Sequence, residues 1–191
     1  MNTSIEKYNL HDYIVKIDDF LDQDTCKNIV KKTSKLNWQT HGYYDSVTNT
    51  HHSYDNELHV LHTKISEVEN LNKNLSYAID FYLKKINLVW FTKISGYNYV
   101  RLNRYDKNTL MRLHCDHIHS IFDGNNKGVP VLTILGALND NYTGGEFLMF
   151  GNEPIELKAG NVIIFPSNFL YPHEVRPVKT GTRYSFVSWG W

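Results

Sequence analysis

The second half of the chain is a series of short apolar or alternating runs separated by turn residues, and this pattern constrains the fold more strongly than any other feature. The runs cover residues 89–92, 97–105, 131–138, 145–150, 162–165 and 183–189. Turn residues separate them at 96, 106–108, 124–128, 139–144, 151–154 and 180–181. Short strands divided in this way are typical of an antiparallel sandwich or barrel. The sequence therefore predicts that this half is mainly β.

The first half of the chain predicts helices. A short strand is expected over residues 13–17, followed by a helix over 22–35 in which Asp22 or Asp24 is the N-cap. A second helix is expected over 61–85, where apolar residues recur at helical spacing. The members of this stripe are Ile65, Val68, Leu71, Leu75, Ala78, Ile79 and Tyr82. We expect the stripe to pack against the predicted sheet.

Residues 39–58 are polar and aromatic without a clear period, which predicts a long loop. Such loops are often lids, and Tyr43, Tyr44 and Tyr54 suggest that this one closes over an extended peptide. Length favours one domain over residues 1–191. Within it, 1–88 would form the helical support and lid region and 89–191 the β core.

Composition excludes several classes of partner. The 20 basic residues balance the 20 acidic ones, so there is no electrostatic case for nucleic acid or a membrane surface. No apolar run is long enough to span a bilayer, and residues 1–12 do not resemble a secretory signal. Cys26 and Cys115 do not form a disulfide framework and fit a reducing compartment. We therefore expect a cytoplasmic protein.

The residues that say most about chemistry are His114, Cys115 and Asp116. Alternate side chains of an extended strand share a face, so His114 and Asp116 can point at one metal while Cys115 points away. A third ligand must come from elsewhere in the chain. A second histidine would complete two imidazoles and one carboxylate, the ligand set of a mononuclear non-haem iron(II) site.

A rival metal set lies directly after this motif. His117 and His119 are also two residues apart and could form a zinc or cupin-type cluster that excludes Asp116. The alternative is that both are exposed loop histidines.

Three segments downstream of His114-Cys115-Asp116 help to identify the kind of site. Gly144-Gly145-Glu146 precedes a strand, Ala159-Gly160-Asn161 leads into residues 162–166, and His173-Glu174-Val175 is followed by residues 181–185. With these motifs, the sequence resembles the iron(II) and 2-oxoglutarate-dependent dioxygenases, and among them the prolyl hydroxylase branch. The resemblance is closest over residues 99–189, and residues 20–38 resemble the helix-bearing N-terminal part. It implies a double-stranded β-helix, or jelly roll, supported by N-terminal helices.

The resemblance also assigns the principal site residues. It implies that His114, Asp116 and His173 coordinate iron, and that Arg183, ten positions further on, binds the far carboxylate of 2-oxoglutarate. The planar guanidinium suits bidentate pairing with a carboxylate. Arg183 shares a strand face with Ser185, so it should point into the interior, where a bound diacid would compensate its charge. The alternative is a structural arginine in a salt bridge.

Two further cofactor contacts are implied by the resemblance. Tyr105 matches a tyrosine whose hydroxyl touches 2-oxoglutarate, and Thr133 matches a threonine that lines the cofactor pocket. The alternatives are an aromatic residue at a strand end and an ordinary strand threonine. Ala137 stands where some relatives carry a second cofactor-binding tyrosine. No catalytic side chain is predicted beyond the metal ligands.

The function implied by the resemblance is hydroxylation of a substrate C–H bond, with succinate and carbon dioxide as co-products. The cofactors would be Fe(2+) and 2-oxoglutarate, with O2 as co-substrate and ascorbate as a candidate reductant. The predicted substrate is a prolyl residue in a peptide or protein. The alternatives are a free amino acid or other small molecule, and a non-catalytic jelly-roll metal-binding or sensor protein.

Overall fold

The computed structural model describes residues 9–45, 48–116 and 129–191. A 3-10 turn spans Leu10–Tyr13, and the helices are α1 (Gln23–Thr33) and α2 (Ser66–Ile86). The strands are β1 (Val15–Ile17), β2 (Gln39–Thr40), β3 (Gly42–Asp45), β4 (Thr50–Ser53), β5 (His59–Leu61), β6 (Arg101–Tyr105), β7 (Met111–His114), β8 (Leu132–Ala137), β9 (Thr143–Gly144), β10 (Phe147–Met149), β11 (Glu153–Pro154), β12 (Val162–Pro166), β13 (His173–Val175), β14 (Val178–Thr180) and β15 (Arg183–Gly190).

Two antiparallel sheets form the body of the fold. The major sheet has seven strands in the order β1-β12-β8-β15-β6-β5-β2, and the minor sheet has four in the order β11-β10-β13-β7. Shorter ribbons pair β14 with β9 and β3 with β4. Because neighbours in the major sheet are distant in sequence, strands from both ends of the chain meet in it. The predicted mainly β, jelly-roll fold is confirmed.

The major sheet packs on both faces, because side chains alternate along each strand. One face carries Ile134 and Phe186, which join the helices in one buried cluster. The opposite face carries Leu135 and Phe165, which pack against residues of the minor sheet in a second cluster. The protein is therefore layered, with the helices on one side of the major sheet and the minor sheet on the other.

One close approach on the helix side of the sheet explains a glycine. A Cβ on Gly136 would lie 2.3 Å from the ring of Phe186, which fills the space above the strand. Any side chain at Gly136 would therefore displace that ring from the core.

The two helices form close to their predicted positions. Asp22 caps α1 by accepting a hydrogen bond of 2.7 Å from the Thr25 backbone amide, which confirms one of the two predicted caps. In α2, the buried residues are Val68, Leu71, Leu75, Ala78, Ile79 and Tyr82, so the predicted apolar stripe is confirmed. The helix starts at Ser66 rather than at residue 61, because Leu61 is paired with Leu102 of the major sheet.

Two sequence predictions about irregular regions are wrong. Residues 39–58 are not a plain loop, since they include β2, β3 and β4. The sequence did not indicate these strands because they are short and lack the apolar alternation of a buried strand. Two of them, β3 and β4, form a separate two-stranded ribbon. Residues 89–92 do not form a strand; Val89 is 84% exposed and Trp90 69% exposed, because no neighbouring strand covers this apolar run.

Within the part of the chain that the structure describes, neither helix has the length and apolar character needed to cross a membrane.

Candidate metal centre

Two adjacent strands of the minor sheet bring the predicted ligands together. In the antiparallel pairing of β7 with β13, His114 lies directly opposite His173. Asp116 follows two residues after His114, beyond the end of β7. Their candidate ligand atoms lie within 4.8 Å of one another, and the three residues are the only such cluster of His, Cys, Asp or Glu in the described ranges.

The ring nitrogens of the two histidines face the carboxylate. The His114 Nε2 atom lies 3.4 Å from Asp116 Oδ1, and the His173 Nε2 atom lies 3.7 Å from Asp116 Oδ2. On the far side of each ring, Nδ1 is held by a backbone carbonyl, that of Arg112 at 2.7 Å and that of Tyr171 at 3.1 Å. A carbonyl can only accept, so each Nδ1 carries the proton and each Nε2 keeps a lone pair for a metal.

Burial and charge favour the metal-binding forms of His173 and Asp116, whereas the pKa of His114 is raised because its contacts with Asp116 outweigh the effect of burial. Burial lowers the pKa of His173 to about 4, so this imidazole is neutral near pH 7. Burial alone would raise the pKa of Asp116, but the facing imidazoles of His173 and His114 outweigh it. The pKa of Asp116 therefore lies below its usual range, so this side chain is an ionised carboxylate near pH 7.

Neighbouring side chains fix the orientation of these groups. The Thr133 hydroxyl donates a hydrogen bond of 2.5 Å to Asp116 Oδ2 and lies 2.8 Å from the Ser167 hydroxyl. Aromatic rings pack on His173, with centroid distances of 5.1 Å to Phe165 and 5.6 Å to Phe147. The candidate ligands are therefore held in place before any metal arrives.

Arg183 lies at the start of β15 and lines a second pocket, next to Gly145 and Phe147, rather than the cavity of the three candidate ligands. It is 1% exposed, and its guanidinium carbon lies 4.9 Å from the centroid of the Tyr105 ring. Nη1 donates to the Ser185 hydroxyl at 3.0 Å, whereas Nε has no hydrogen-bond partner among the described residues. Arg183 also forms no salt bridge with a described carboxylate, so the structural-arginine alternative has no support there. A Cβ on Gly145, whose φ is +65°, would lie 3.2 Å from Arg183 Cδ, so glycine leaves room for this side chain.

These observations fit an iron ion and a 2-oxo diacid. Two neutral imidazoles and one carboxylate are the donors of the facial iron(II) triad. A buried guanidinium with an unpartnered N–H suits the far carboxylate of the acid, because a buried cation without an anion is costly. Tyr105, which contacts Arg183, lines one cavity together with His114 and Asp116.

The remaining predicted residues have different surroundings. Thr133 lines the cavity of the candidate ligands and bonds to Asp116, a contact that sequence alone did not predict. Cys115 points away from the cluster, with Sγ 3.6 Å from the carbonyl oxygen of Phe169. Both cysteines of the chain are free. His117 and His119 lie outside the described residues.

Sequence analysis missed several residues that line the cavity. Arg101 and Asn103 come from β6, Trp189 from β15, and Leu58 from the segment that precedes β5. Strand alternation could have indicated the first three, since Arg101 and Asn103 share a face with Tyr105, and Trp189 with Arg183. Nothing in the sequence around Leu58 indicates its place.

Comparisons of sequence match the C-terminal half of the chain. Residues 100–191 match the model of the 2OG-Fe(II) oxygenase superfamily. A PKHD-type hydroxylase of Delftia acidovorans is 33% identical over 97 residues, which cover 47% of this chain and 41% of that protein. A PKHD-type hydroxylase of Shewanella baltica is 33% identical over 91 residues, covering 46% and 40%. The chain spans about two fifths of the length of these curated relatives.

Comparisons of structure extend over almost the whole chain. A prolyl hydroxylase from Trichoplax adhaerens, in complex with a peptide fragment of the hypoxia inducible factor oxygen degradation domain, aligns with a TM-score of 0.69 and 19% identity. The alignment covers 94% of this chain and 84% of that one. The viral collagen prolyl hydroxylase from Paramecium Bursaria Chlorella virus-1, in its 2OG complex, aligns with a TM-score of 0.64 and 19% identity over 93% and 94%.

These findings agree with the geometry of the site. Residues 100–191 are similar to the 2OG-Fe(II) oxygenase superfamily, and the fold is that of the two prolyl hydroxylases with which the chain aligns. His114, Asp116 and His173 lie within this matched part of the chain.

Proposed function

We propose that this protein is an Fe(II)- and 2-oxoglutarate-dependent oxygenase that hydroxylates a prolyl residue in a peptide or protein. The observation that carries the proposal is the convergence of His114, Asp116 and His173 within 4.8 Å, in a family that uses iron. We propose these three residues as the metal ligands. Arg183 is proposed to hold the far carboxylate of 2-oxoglutarate, with Tyr105 beside it.

The chain's own residues would prepare this site for chemistry. When bound, iron and 2-oxoglutarate supply the oxidising power for C–H hydroxylation, and succinate and carbon dioxide are the co-products. The carbonyls of Arg112 and Tyr171 keep the Nε2 atoms unprotonated, and Thr133 holds Asp116 in place. The rings of Phe147 and Phe165 shield His173, which leaves it only 4% exposed to water.

The whole described chain is proposed to act as one domain. Strand β1 pairs with β12 and β5 pairs with β6, so the N-terminal part completes the sheet that carries Arg183. Residues 39–58 are proposed to close over an extended peptide substrate. Unchanged peptide binding and turnover after deletion of this segment would exclude the lid role.

The choice of a prolyl substrate is supported by the relatives and structural neighbours. The Delftia and Shewanella proteins are PKHD-type hydroxylases, and the structural neighbours are prolyl hydroxylases. One of these neighbours was solved with a peptide bound. A peptide or protein is therefore the proposed partner.

A turnover assay tests the function directly. The protein would be incubated with Fe(II), 2-oxoglutarate and ascorbate, with proline-containing peptides and free amino acids as candidate substrates. Mass spectrometry would detect the gain of one oxygen, and succinate would be measured in parallel. We expect both products with a prolyl peptide, and neither after His114→Ala. The matched control is His62→Ala, because His62 is an exposed histidine outside the cluster.

Two results would count against the proposal. Full activity of the His114→Ala variant would exclude the ligand assignment. Absence of succinate and of hydroxylated product across all substrates would favour a non-catalytic metal-binding protein. Oxygen gain on a free amino acid alone would retain the oxygenase and replace its substrate.

A further inference from the structure

A half-buried arginine lines the metal cavity, and the proposed roles of the cofactors do not use it. Arg101 of β6 lines the cavity together with His114, Asp116 and Thr133. Its backbone lies opposite Val187, whereas Arg183 lies opposite Tyr105. The pair Arg101–Val187 and the pair Tyr105–Arg183 are four residues apart, which is about 13 Å along an extended strand. The two arginines accordingly line different pockets, Arg101 that of the candidate ligands and Arg183 a second one.

Arg101 lies towards the metal end. Val187 also pairs with Leu135 of β8, and Thr133, which bonds to Asp116, is two residues further along that strand. The two residues from Leu135 to Thr133 span about 7 Å along the strand. In the proposed function 2-oxoglutarate extends from the metal towards Arg183, which leaves the side of Arg101 for the substrate.

The known contacts of Arg101 leave part of its guanidinium unused. Its Nε donates to Asn103 Oδ1 at 3.1 Å, and its guanidinium carbon lies 4.9 Å from the centroid of the Trp189 ring. Arg101 forms no salt bridge with any carboxylate in the described ranges. Burial lowers the pKa of Arg101, although Tyr105 and Asp116 act in the opposite direction. The cation thus pays a desolvation cost that no neighbouring anion fully offsets.

A second donor lies beside it. The Trp189 indole Nε1–H is buried and has no hydrogen-bond partner among the described residues. Trp189 lines the same cavity as Arg101. A buried donor without an acceptor, next to a guanidinium that has no carboxylate partner, indicates a ligand that accepts hydrogen bonds.

The charges around the cavity indicate that this ligand is an anion. Asp116 is the one carboxylate among the described residues that line this cavity, and it would bind the metal together with the neutral imidazoles of His114 and His173. Arg101 is the one permanent cation among the same residues. Once Asp116 binds the metal, Arg101 has no anion of its own in the cavity.

We propose that Arg101, with Trp189 beside it, binds a carboxylate of the substrate, so that preferred substrates carry a carboxylate close to the carbon that is oxidised. The inference rests on the proposed oxygenase function and narrows its substrate class. The carboxylate can belong to an acidic residue beside the target, to the C-terminus of a peptide, or to a free amino acid. Arg101 is a specificity-determining residue in this scheme.

Matched acid and amide probes test this proposal without turnover. The protein would be loaded with Mn(II) and 2-oxoglutarate under anaerobic conditions, and dissociation constants would be measured by calorimetry. The probe pairs are L-proline and L-prolinamide, one prolyl peptide ending in a carboxylate or an amide, and one peptide with Asp or Asn beside the proline. The pair with the largest difference identifies the source of the carboxylate.

We expect wild-type protein to prefer the acid of at least one pair by roughly 10- to 100-fold, the range for a hydrogen bond to a charged group. The variant Arg101→Gln should reduce that preference to less than about threefold, and Arg101→Lys should keep an intermediate preference because it retains the charge but not the planar fork. Turnover of the same probes should show the same order.

The matched control is Arg104→Gln. Arg104 is on the opposite face of β6, where its guanidinium carbon lies 5.2 Å from the centroid of the Trp38 ring and Nε donates to Asp106 at 3.1 Å. This variant loses the same charge from the same strand and should keep the acid preference of the wild type. Thermal unfolding of all variants would check that they fold.

Three outcomes would overturn the inference. One is wild-type protein that does not prefer an acid in any pair, including failure to bind every acid probe. Another is an acid preference that survives in Arg101→Gln. The third is a loss of 2-oxoglutarate affinity in Arg101→Gln as large as in Arg183→Gln, which would assign Arg101 to the cofactor. Failure of the proposed oxygenase function would give a different result from these three outcomes, because the wild type would then form no succinate in the presence of iron.

Discussion

Residues 100–191 contain the three candidate metal ligands and Arg183, whereas residues 9–99 contribute one described residue, Leu58, to the lining of the metal cavity. The N-terminal half instead covers the far face of the major sheet, where Leu71 and Leu75 of α2 join the cluster that includes Phe186. The difference shows that the helices and the metal cavity lie on opposite faces of the major sheet. Substitutions in the two halves should therefore affect different measurements.

The largest expected effect is loss of a proposed ligand. Asp116→Asn removes the carboxylate, so we expect succinate formation to fall by more than the roughly 100-fold that loss of an outer-shell partner costs. Fe(II) affinity, measured by calorimetry, should fall as well. The control Asp80→Asn changes an exposed carboxylate on α2 and should leave both values unchanged. Equal Fe(II) affinity in the wild type and in Asp116→Asn would contradict the assignment of the metal site to residues 100–191.

The supporting half should show its effect in stability. Leu75→Ala empties a fully buried position of α2, and we expect the free energy of unfolding to fall by about 2–5 kcal/mol in chemical denaturation. Tyr77→Ala, at a position 71% exposed on the same helix, should change it by less than about 0.5 kcal/mol. If folded Leu75→Ala protein lost its affinity for Fe(II), the two halves would not be separable.

Arg183 tests the cofactor end of the site. Arg183→Gln removes the charge that would pair with the far carboxylate, and we expect the dissociation constant for 2-oxoglutarate to rise by about 10- to 100-fold. Fe(II) affinity in the absence of 2-oxoglutarate should change little. Arg176→Gln, which removes an exposed arginine 3.3 Å from Glu174, is the control. An unchanged 2-oxoglutarate affinity in Arg183→Gln would remove this residue from the cofactor site.

The smallest expected effect concerns the start of α1. Asp22→Ala removes the cap on the Thr25 amide, so we expect a loss of about 1 kcal/mol in the free energy of unfolding. Asp24→Ala, inside the first turn, does not remove a cap bond and should cost less. The dissociation constants for Fe(II) and 2-oxoglutarate should be unaffected, and a change in either would mean that the helix layer acts on the cavity.

Much of the candidate site could be predicted from local patterns. The spacing of His114 and Asp116, and the strand that begins at Arg183, depend on residues that are close in sequence. His114 lies opposite His173 because of the register of β7 against β13, and the 58 residues 115–172 separate these two strands in the sequence. Thr133 was predicted to line the cofactor pocket, but its bond to Asp116 requires two sheets to be in place.

The sequence by itself determined the alternation of the strands, the apolar stripe of α2 and the types of donor available for a metal. These features follow from short-range geometry, because side chains repeat every two residues in a strand and every 3.6 in a helix. Only the tertiary structure decided that Arg101, Trp189 and Leu58 share a cavity with those donors. Pairing between distant strands sets which residues become neighbours, and the carboxylate contact proposed for Arg101 depends on that arrangement.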